Sequence, residues 1–329
     1  EKKEDEKASS EKEETKLNGL IVDLRNNPGG LLDQAVDMSD VFLDEGTIVS
    51  TVGLNNKLNE ISEAHVNQSV TDTPLVVLVN EGSASASEIV AGAIKVNDRG
   101  LIVGLPSFGK GTVQSLYSLE DDKALKLTIA QFLAGGTAVI QSQGITPDIA
   151  LTPALIGEES LLLYKDSFMI HEEDLDNHME PHETSDVLRE KSPYTVKYLM
   201  LVEKEEDDEN ALPKSSYLEK IDTLIEKKDF NVEFAASILR KYGEENSKKF
   251  IEKIGALVSD YASQEEEKIR GALAKRKINW DDAPAEEAAP SVRDLDFTVS
   301  FDKLEGSVAL ISNCVGVVGM TFPIVKFSE

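Results

Sequence analysis

The sequence predicts an α/β protein, and three observations predict it. Short apolar runs bounded by turn residues recur at residues 20–24, 75–79 and 101–103, as buried strands do. Helical spacing fills the intervals between them. After Lys110 the texture becomes β-like. Taking the elements in order, Leu20-Ile21-Val22-Asp23-Leu24 is the first strand. Asn26-Asn27-Pro28-Gly29-Gly30 is a turn with two residues free to take positive φ. Leu31, Leu32, Ala35, Val36, Met38 and Phe42 then recur at roughly helical spacing. Residues 47–52 read as a strand, followed by a polar excursion to Thr73. Next come the strand 75–79, a helix over about 86–96 and the strand 101–103. Residues 113–119, 124–133 and 138–141 form a β-rich return. The expected α/β core therefore covers 17–153.

The flanks read differently. Residues 1–16 are almost wholly Glu, Lys, Asp and Ser, the composition of a charged linker or tail. Residues 154–214 are acidic and weakly patterned, so an irregular region is expected. Residues 215–280 read as a helical extension. Phe250, Ile254, Leu257, Val258 and Tyr261 form one apolar stripe there, which suits a structural bundle. Residues 281–291, rich in Pro, Ala and Glu, form a linker. Residues 292–329 are expected to be a small β-rich domain. Their run 308–325 is apolar but broken by Asn313, Gly316, Gly319 and Pro323, which favours strands over a membrane span.

Composition narrows the function. At 329 residues the chain can hold two or three domains. A net charge of −27 argues against nucleic acid and anionic membranes as partners, since both need a basic footprint. The lone Cys314 excludes an internal disulfide and a multi-cysteine zinc site.

The chemistry gathers at two places. Gly82-Ser83-Ala84-Ser85-Ala86-Ser87-Glu88 puts serines at a strand-to-helix junction, where N–H groups and the helix dipole favour negative charge. Phe108-Gly109-Lys110-Gly111-Thr112 puts a lysine after the next strand. A serine hydroxyl needs a base, and a lysine serves only when neutral, a form that burial favours. Phe108 is expected to cover Lys110. Ser85-Ala86-Ser87-Glu88 also matches a capping box, so Ser85 reads equally as a helix cap, and spacing does not choose among Ser83, Ser85 and Ser87. Residues 104–112 nearly match a phosphate-binding loop, but Gly111 replaces the hydroxyl residue and the next segment alternates like a strand. His171, His178 and His182 stand among carboxylates. Pro181 interrupts them, and a solvated loop without metal is the reading. His65 stands in the polar excursion, away from any serine motif.

Four motifs carry a resemblance: residues 19–30 (GLIVDLRNNPGG), 80–89 (NEGSASASEI), 108–114 (FGKGTVQ) and 144–148 (GITPD). In this order they resemble the carboxyl-terminal processing peptidases, also called tail-specific proteases. The resemblance covers roughly 17–153. It implies a ClpP/crotonase-like core and a serine endopeptidase directed by protein C-termini, with protein or peptide substrates and no cofactor. It implies Ser85 as nucleophile, Lys110 as general base and Gln114 as the residue that orients the lysine. It further implies an oxyanion hole from the N–H of Ala86 and one from Gly29 or Gly30. An exported, periplasmic bacterial setting follows from it as well. Where many relatives have an aspartate after the nucleophile helix, this chain has Val96, with Asp98 two positions on. The PDZ domain that usually precedes this core is not recognisable here. The competing reading is a non-catalytic fragment or adaptor, with residues 215–276 as a surface for self-association or partner binding.

Overall fold

The computed structural model describes residues 19–53, 57–66, 73–120, 123–157, 161–162, 171–182, 191–202, 229–242 and 253–278. The expected linkers at 1–16 and 281–291, Phe250, Cys314 and the β-rich segment 292–329 lie outside the described residues. Everything described up to Lys277 belongs to one compact unit.

The element order opens β1 (Leu20–Asp23), α1 (Leu32–Asp40), β2 (Thr47–Gly53), β3 (Leu58–Glu63), β4 (Leu75–Val79), α2 (Ala86–Val96) and β5 (Leu101–Gly104). It continues with β6 (Thr112–Ser118), β7 (Ala124–Ala134), β8 (Ala138–Val139), β9 (Ile149–Gly157), β10 (Leu161–Leu162) and β11 (Tyr194–Val202). The helices α3 (Phe230–Tyr242) and α4 (Gly255–Ala274) follow. The α/β class is as expected.

The first sheet runs β1-β4-β5-β9, all parallel, with β11 parallel to β9 and β10 antiparallel to it. The second sheet runs β3-β2-β7-β6 with β8 on β7, all antiparallel. Burial explains the β4 sequence. All five of its residues are buried, as a parallel strand covered on both faces requires. Leu75, Val77 and Val79 join α1, α2, Ile48, Phe132 and Ala134 in one core. Val76 and Leu78 point the other way, into a second core with Phe234, Ile238, Leu257 and Val258.

That second core refines two expectations. The helical extension is, where described, helical and structural as read, and it forms the layer that covers the far face of the parallel sheet. Its stripe of Ile254, Leu257, Val258 and Tyr261 packs against the sheet. The region 154–214 is not irregular throughout. β11 pairs with β9 from Tyr194↔Ile149 to Val202↔Gly157, and β9 itself runs past residue 153. Tyr198 of β11 stacks on Phe230 with ring centroids 4.4 Å apart. The buried Glu265 carboxylate of α4 accepts the Leu199 N–H at 3.0 Å. The polar excursion 53–73 likewise holds β3. As an edge strand it leaves Ile61 exposed, so it gives no apolar alternation to read. No helix among the described residues is long and apolar enough to cross a membrane.

Candidate active site

The site forms where β1, β4 and β5 end and their following loops converge, as open parallel sheets favour. The loop after β4 carries the three serines, and the structure separates their roles. Ser83 is fully buried; its hydroxyl donates to the Leu24 carbonyl at 2.7 Å and accepts the Asn80 N–H at 3.0 Å. Ser87 is buried and donates to the Asn27 carbonyl at 3.0 Å. Both are committed to the fold. Ser85 is half-buried and stands at the N-cap of α2 with φ +56° and ψ −115°. It stands in a capping-box arrangement with Glu88: the Ser85 side chain faces the Glu88 N–H, which donates to the Ser85 carbonyl at 2.9 Å, and the Glu88 carboxylate accepts the Ser85 N–H at 2.7 Å.

A positive φ at a non-glycine residue costs of order 1–3 kcal/mol and persists where surrounding contacts enforce it. Here those contacts surround a hydroxyl at the mouth of a helix. Ser85→Gly is therefore expected to raise stability by about 1 kcal/mol, read as a higher urea midpoint, while removing the hydroxyl.

The turn at residues 26–30 packs against Ser85. The Asn27 carbonyl accepts the Ala84 N–H at 3.0 Å. Gly29 has φ +98°, and a Cβ there would stand 2.9 Å from Ser85 Cβ and 2.8 Å from the Ala86 nitrogen. Only glycine allows so close an approach. The Gly29 N–H donates to Asn27 Oδ1 at 3.0 Å. The N–H groups of Ala86 and Gly30 have no partner among the described residues.

Lys110 sits in the loop after β5. Contrary to the expected cover from Phe108, its side chain is exposed. The reason lies in the loop's inward-facing groups, which are backbone N–H groups gathered on Glu88. Glu88 is fully buried. Its Oε1 accepts Ser107 Oγ–H and the Gly109 N–H, each at 2.6 Å. Its Oε2 accepts the Ser85 N–H at 2.7 Å and the Lys110 N–H at 2.9 Å. One carboxylate oxygen thus joins the backbone of Ser85 to that of Lys110. Burial pushes the Glu88 carboxyl up to about 7, against the lowering effect of these four hydrogen bonds. The sequence showed Glu88 only as a capping partner. Its larger role depends on residues 19 to 22 positions away, which local pattern does not reveal.

Segment 171–182 crosses the same loop; most of its residues are exposed, as a solvated loop requires, while its ends are held by hydrogen bonds. The Glu172 N–H donates to the Phe108 carbonyl at 3.0 Å, and His171 Nδ1 lies 3.1 Å from the Ser107 carbonyl. Gln141 accepts the Gly111 N–H at 3.0 Å and donates to Glu172 Oε1 at 3.2 Å. The lysine loop's backbone anchors the start of this segment, and side chains of Gln131, Gln141 and Ser142, donating to the Glu180 and Met179 carbonyls, anchor its end. Gln114 is exposed on β6 and donates to Thr128 Oγ1 at 3.5 Å; no hydrogen bond joins it to Lys110 among the described residues. Lys110-Gly111 runs into β6, not a helix, so the segment is not built as a phosphate-binding loop. His65 is exposed beside Asp40, with Nδ1 3.4 Å from its carboxylate. Among the described residues no group of three or more His, Cys, Asp or Glu is arranged to hold a metal ion.

Arg25, just before the 26–30 turn, is held between Asp23 and Asp229. Burial works against its charge, but the hydrogen bonds to both carboxylates outweigh that and raise its pKa.

Residues 1–151 match the family model described as peptidase family S41. The carboxy-terminal-processing protease of Bartonella bacilliformis is 48% identical over 142 residues, covering 43% of this chain and 32% of that protein. The chloroplastic carboxyl-terminal-processing peptidase 3 of Arabidopsis thaliana is 44% identical over 155 residues, covering 46% and 29%. The carboxyl-terminal-processing protease of Synechocystis sp. is 45% identical over 144 residues, covering 44% and 33%. The chain thus spans about a third of the length of these relatives. Among solved structures, a photosystem II D1 C-terminal processing protease aligns over 41% of this chain and 34% of its own, at 36% identity and a TM-score of 0.37.

Proposed function

We infer that this chain, a member of peptidase family S41 through its residues 1–151, is a serine endopeptidase with Ser85 as nucleophile and Lys110 as general base. The observation that carries this reading is the Glu88 carboxylate, which ties the strained Ser85 and the Lys110 loop to one point. In the proposed reaction Ser85 Oγ attacks the scissile carbonyl carbon and its proton passes to the lone pair of Lys110 Nζ. The oxyanion forms against the N–H groups of Ala86 and Gly30. Gly30 is favoured over Gly29 because the Gly29 N–H is already taken by Asn27. The resulting ammonium returns its proton to the leaving amine as the peptide bond breaks. Water then hydrolyses the acyl-enzyme with Lys110 again as base. Gln114 orients Lys110 in this reading by a side-chain rotation away from Thr128.

The substrates are proteins or peptides. By analogy with the names of its relatives, cleavage is directed by exposed C-terminal tails. An exported, periplasmic setting in a bacterium goes with that reading. The adaptor alternative has less support, because Leu257, Val258, Ile269 and Leu273 of α4 are buried within this chain. The test is hydrolysis of an unstructured polypeptide. Ser85→Ala is expected to abolish turnover at unchanged thermal stability. Near-parent turnover by that variant would refute the assignment.

A further inference from the structure

Residues far beyond the S41 match reach back to the catalytic turn. Arg25 is forked twice. Nε and Nη2 donate to Asp23 at 2.9 and 2.7 Å, while Nη1 and Nη2 donate to Asp229 at 3.1 and 2.8 Å. The side chains of Arg25 and Asp229 are each only 14% exposed. Asp229 Oδ1 also accepts the N–H groups of Asn231 at 2.9 Å and Val232 at 3.3 Å, at the start of α3. One carboxylate therefore fixes both the entry to α3 and the residue just before the turn.

From Arg25 the contacts lead to Ser85 in two steps. The Asn26 N–H donates to Asn80 Oδ1 at 2.8 Å, and Asn80 Nδ2 returns a bond to Asn26 Oδ1 at 2.9 Å. The Asn27 carbonyl then accepts the Ala84 N–H and Ser87 Oγ–H, either side of Ser85. Helix capping alone does not call for the ion pair, since Asn or Ser would cap α3 about as well. A bidentate Arg–carboxylate pair adds geometric specificity to its energy.

We propose that Asp229 is a positioning residue for hydrolysis, which holds Arg25 and so fixes the 26–30 turn against Ser85. The helical segment beginning at Asp229 is then part of the catalytic unit. The inference rests on the peptidase reading above. Its test compares the parent chain with Asp229→Asn, Asp229→Ser and Asp229→Glu. The readouts are the rate of Ser85 labelling by a fluorophosphonate, kcat and KM on an unstructured peptide, and helix content. Asn and Ser keep a capping acceptor and drop the charge. Labelling and kcat are expected to fall about tenfold in both, with KM changed less than about twofold and helix content retained. Glu, which keeps the charge, is expected to recover part of the loss. Parent-rate labelling of the folded Asn and Ser variants would overturn the inference and leave the peptidase reading standing. Equal losses in all three variants together with lost helix content would reduce Asp229 to a cap and also overturn it. A parent chain that does not label at all would remove the peptidase reading and this inference with it.

Discussion

Glu88→Ala is expected to destabilise the chain by roughly 4 kcal/mol or more and to abolish hydrolysis. The carboxylate is fully buried and accepts four hydrogen bonds, from Ser85, Ser107, Gly109 and Lys110. Removing it strands four donors, those of Ser107 and Gly109 in buried positions, at about 1–3 kcal/mol for each that finds no new partner. Glu88→Gln keeps the shape but turns one end into a donor facing two donors. It is expected to fold with lower stability and lose about 100-fold in turnover, because the Ser85 and Lys110 loops no longer share an acceptor.

Burial raises the Glu88 pKa from 4.5 to about 7. Between those values the folded chain holds a proton that the unfolded chain has released. The contribution of Glu88 to stability is therefore fully present below about pH 4.5 and is lost as pH rises through about 7. From pH 5 to pH 8 the stability of the parent relative to Glu88→Gln should fall by about 2–3 kcal/mol, measured by urea unfolding. Parallel pH profiles would contradict this. Turnover should rise over the same interval, since the ionised carboxylate holds both loops.

Lys110→Arg is expected to lose about 10²–10⁴-fold in turnover, the range of a missing general base, with stability unchanged within about 0.5 kcal/mol. The side chain is exposed, so no core packing is disturbed, and the bond from the residue 110 N–H to Glu88 remains. Charge is retained as well. Only the capacity to lose a proton differs, because guanidinium is effectively never neutral in a protein. Turnover near the parent rate would exclude Lys110 as the base.

The sequence made the strands that bury both faces easiest to read. β4 appears as an unbroken apolar run with the bounds the structure gives, and α2 likewise spans the expected residues. Elements that bury little were hidden. β3 is a polar edge strand, and β11 lies in an acidic region, where Val196 is buried in the core and Tyr194 and Tyr198 pack against it. The covered stripe of the C-terminal helices was legible, but its partner was not. An apolar stripe shows that a helix is covered, but not whether the cover is another helix or the far side of a sheet.

At the site, the serine run and the lysine were visible, but spacing alone left three serines. Ser83 and Ser87 were separated from Ser85 by hydrogen bonds to Leu24 and Asn27, about 60 positions away. Contacts of that range leave no local trace. The same is true of Glu88 on the 107–110 loop, of segment 171–182 across it, and of Asp229 on Arg25.

The central claim is that Ser85 is the nucleophile. The most direct measurement is covalent labelling of the intact chain with a fluorophosphonate, followed by mass mapping of the modified peptide. The account predicts a single adduct on Ser85, formed faster as pH rises and absent from Ser85→Ala. An adduct on Ser83 or Ser87, or equal labelling of Ser85→Ala, would contradict it.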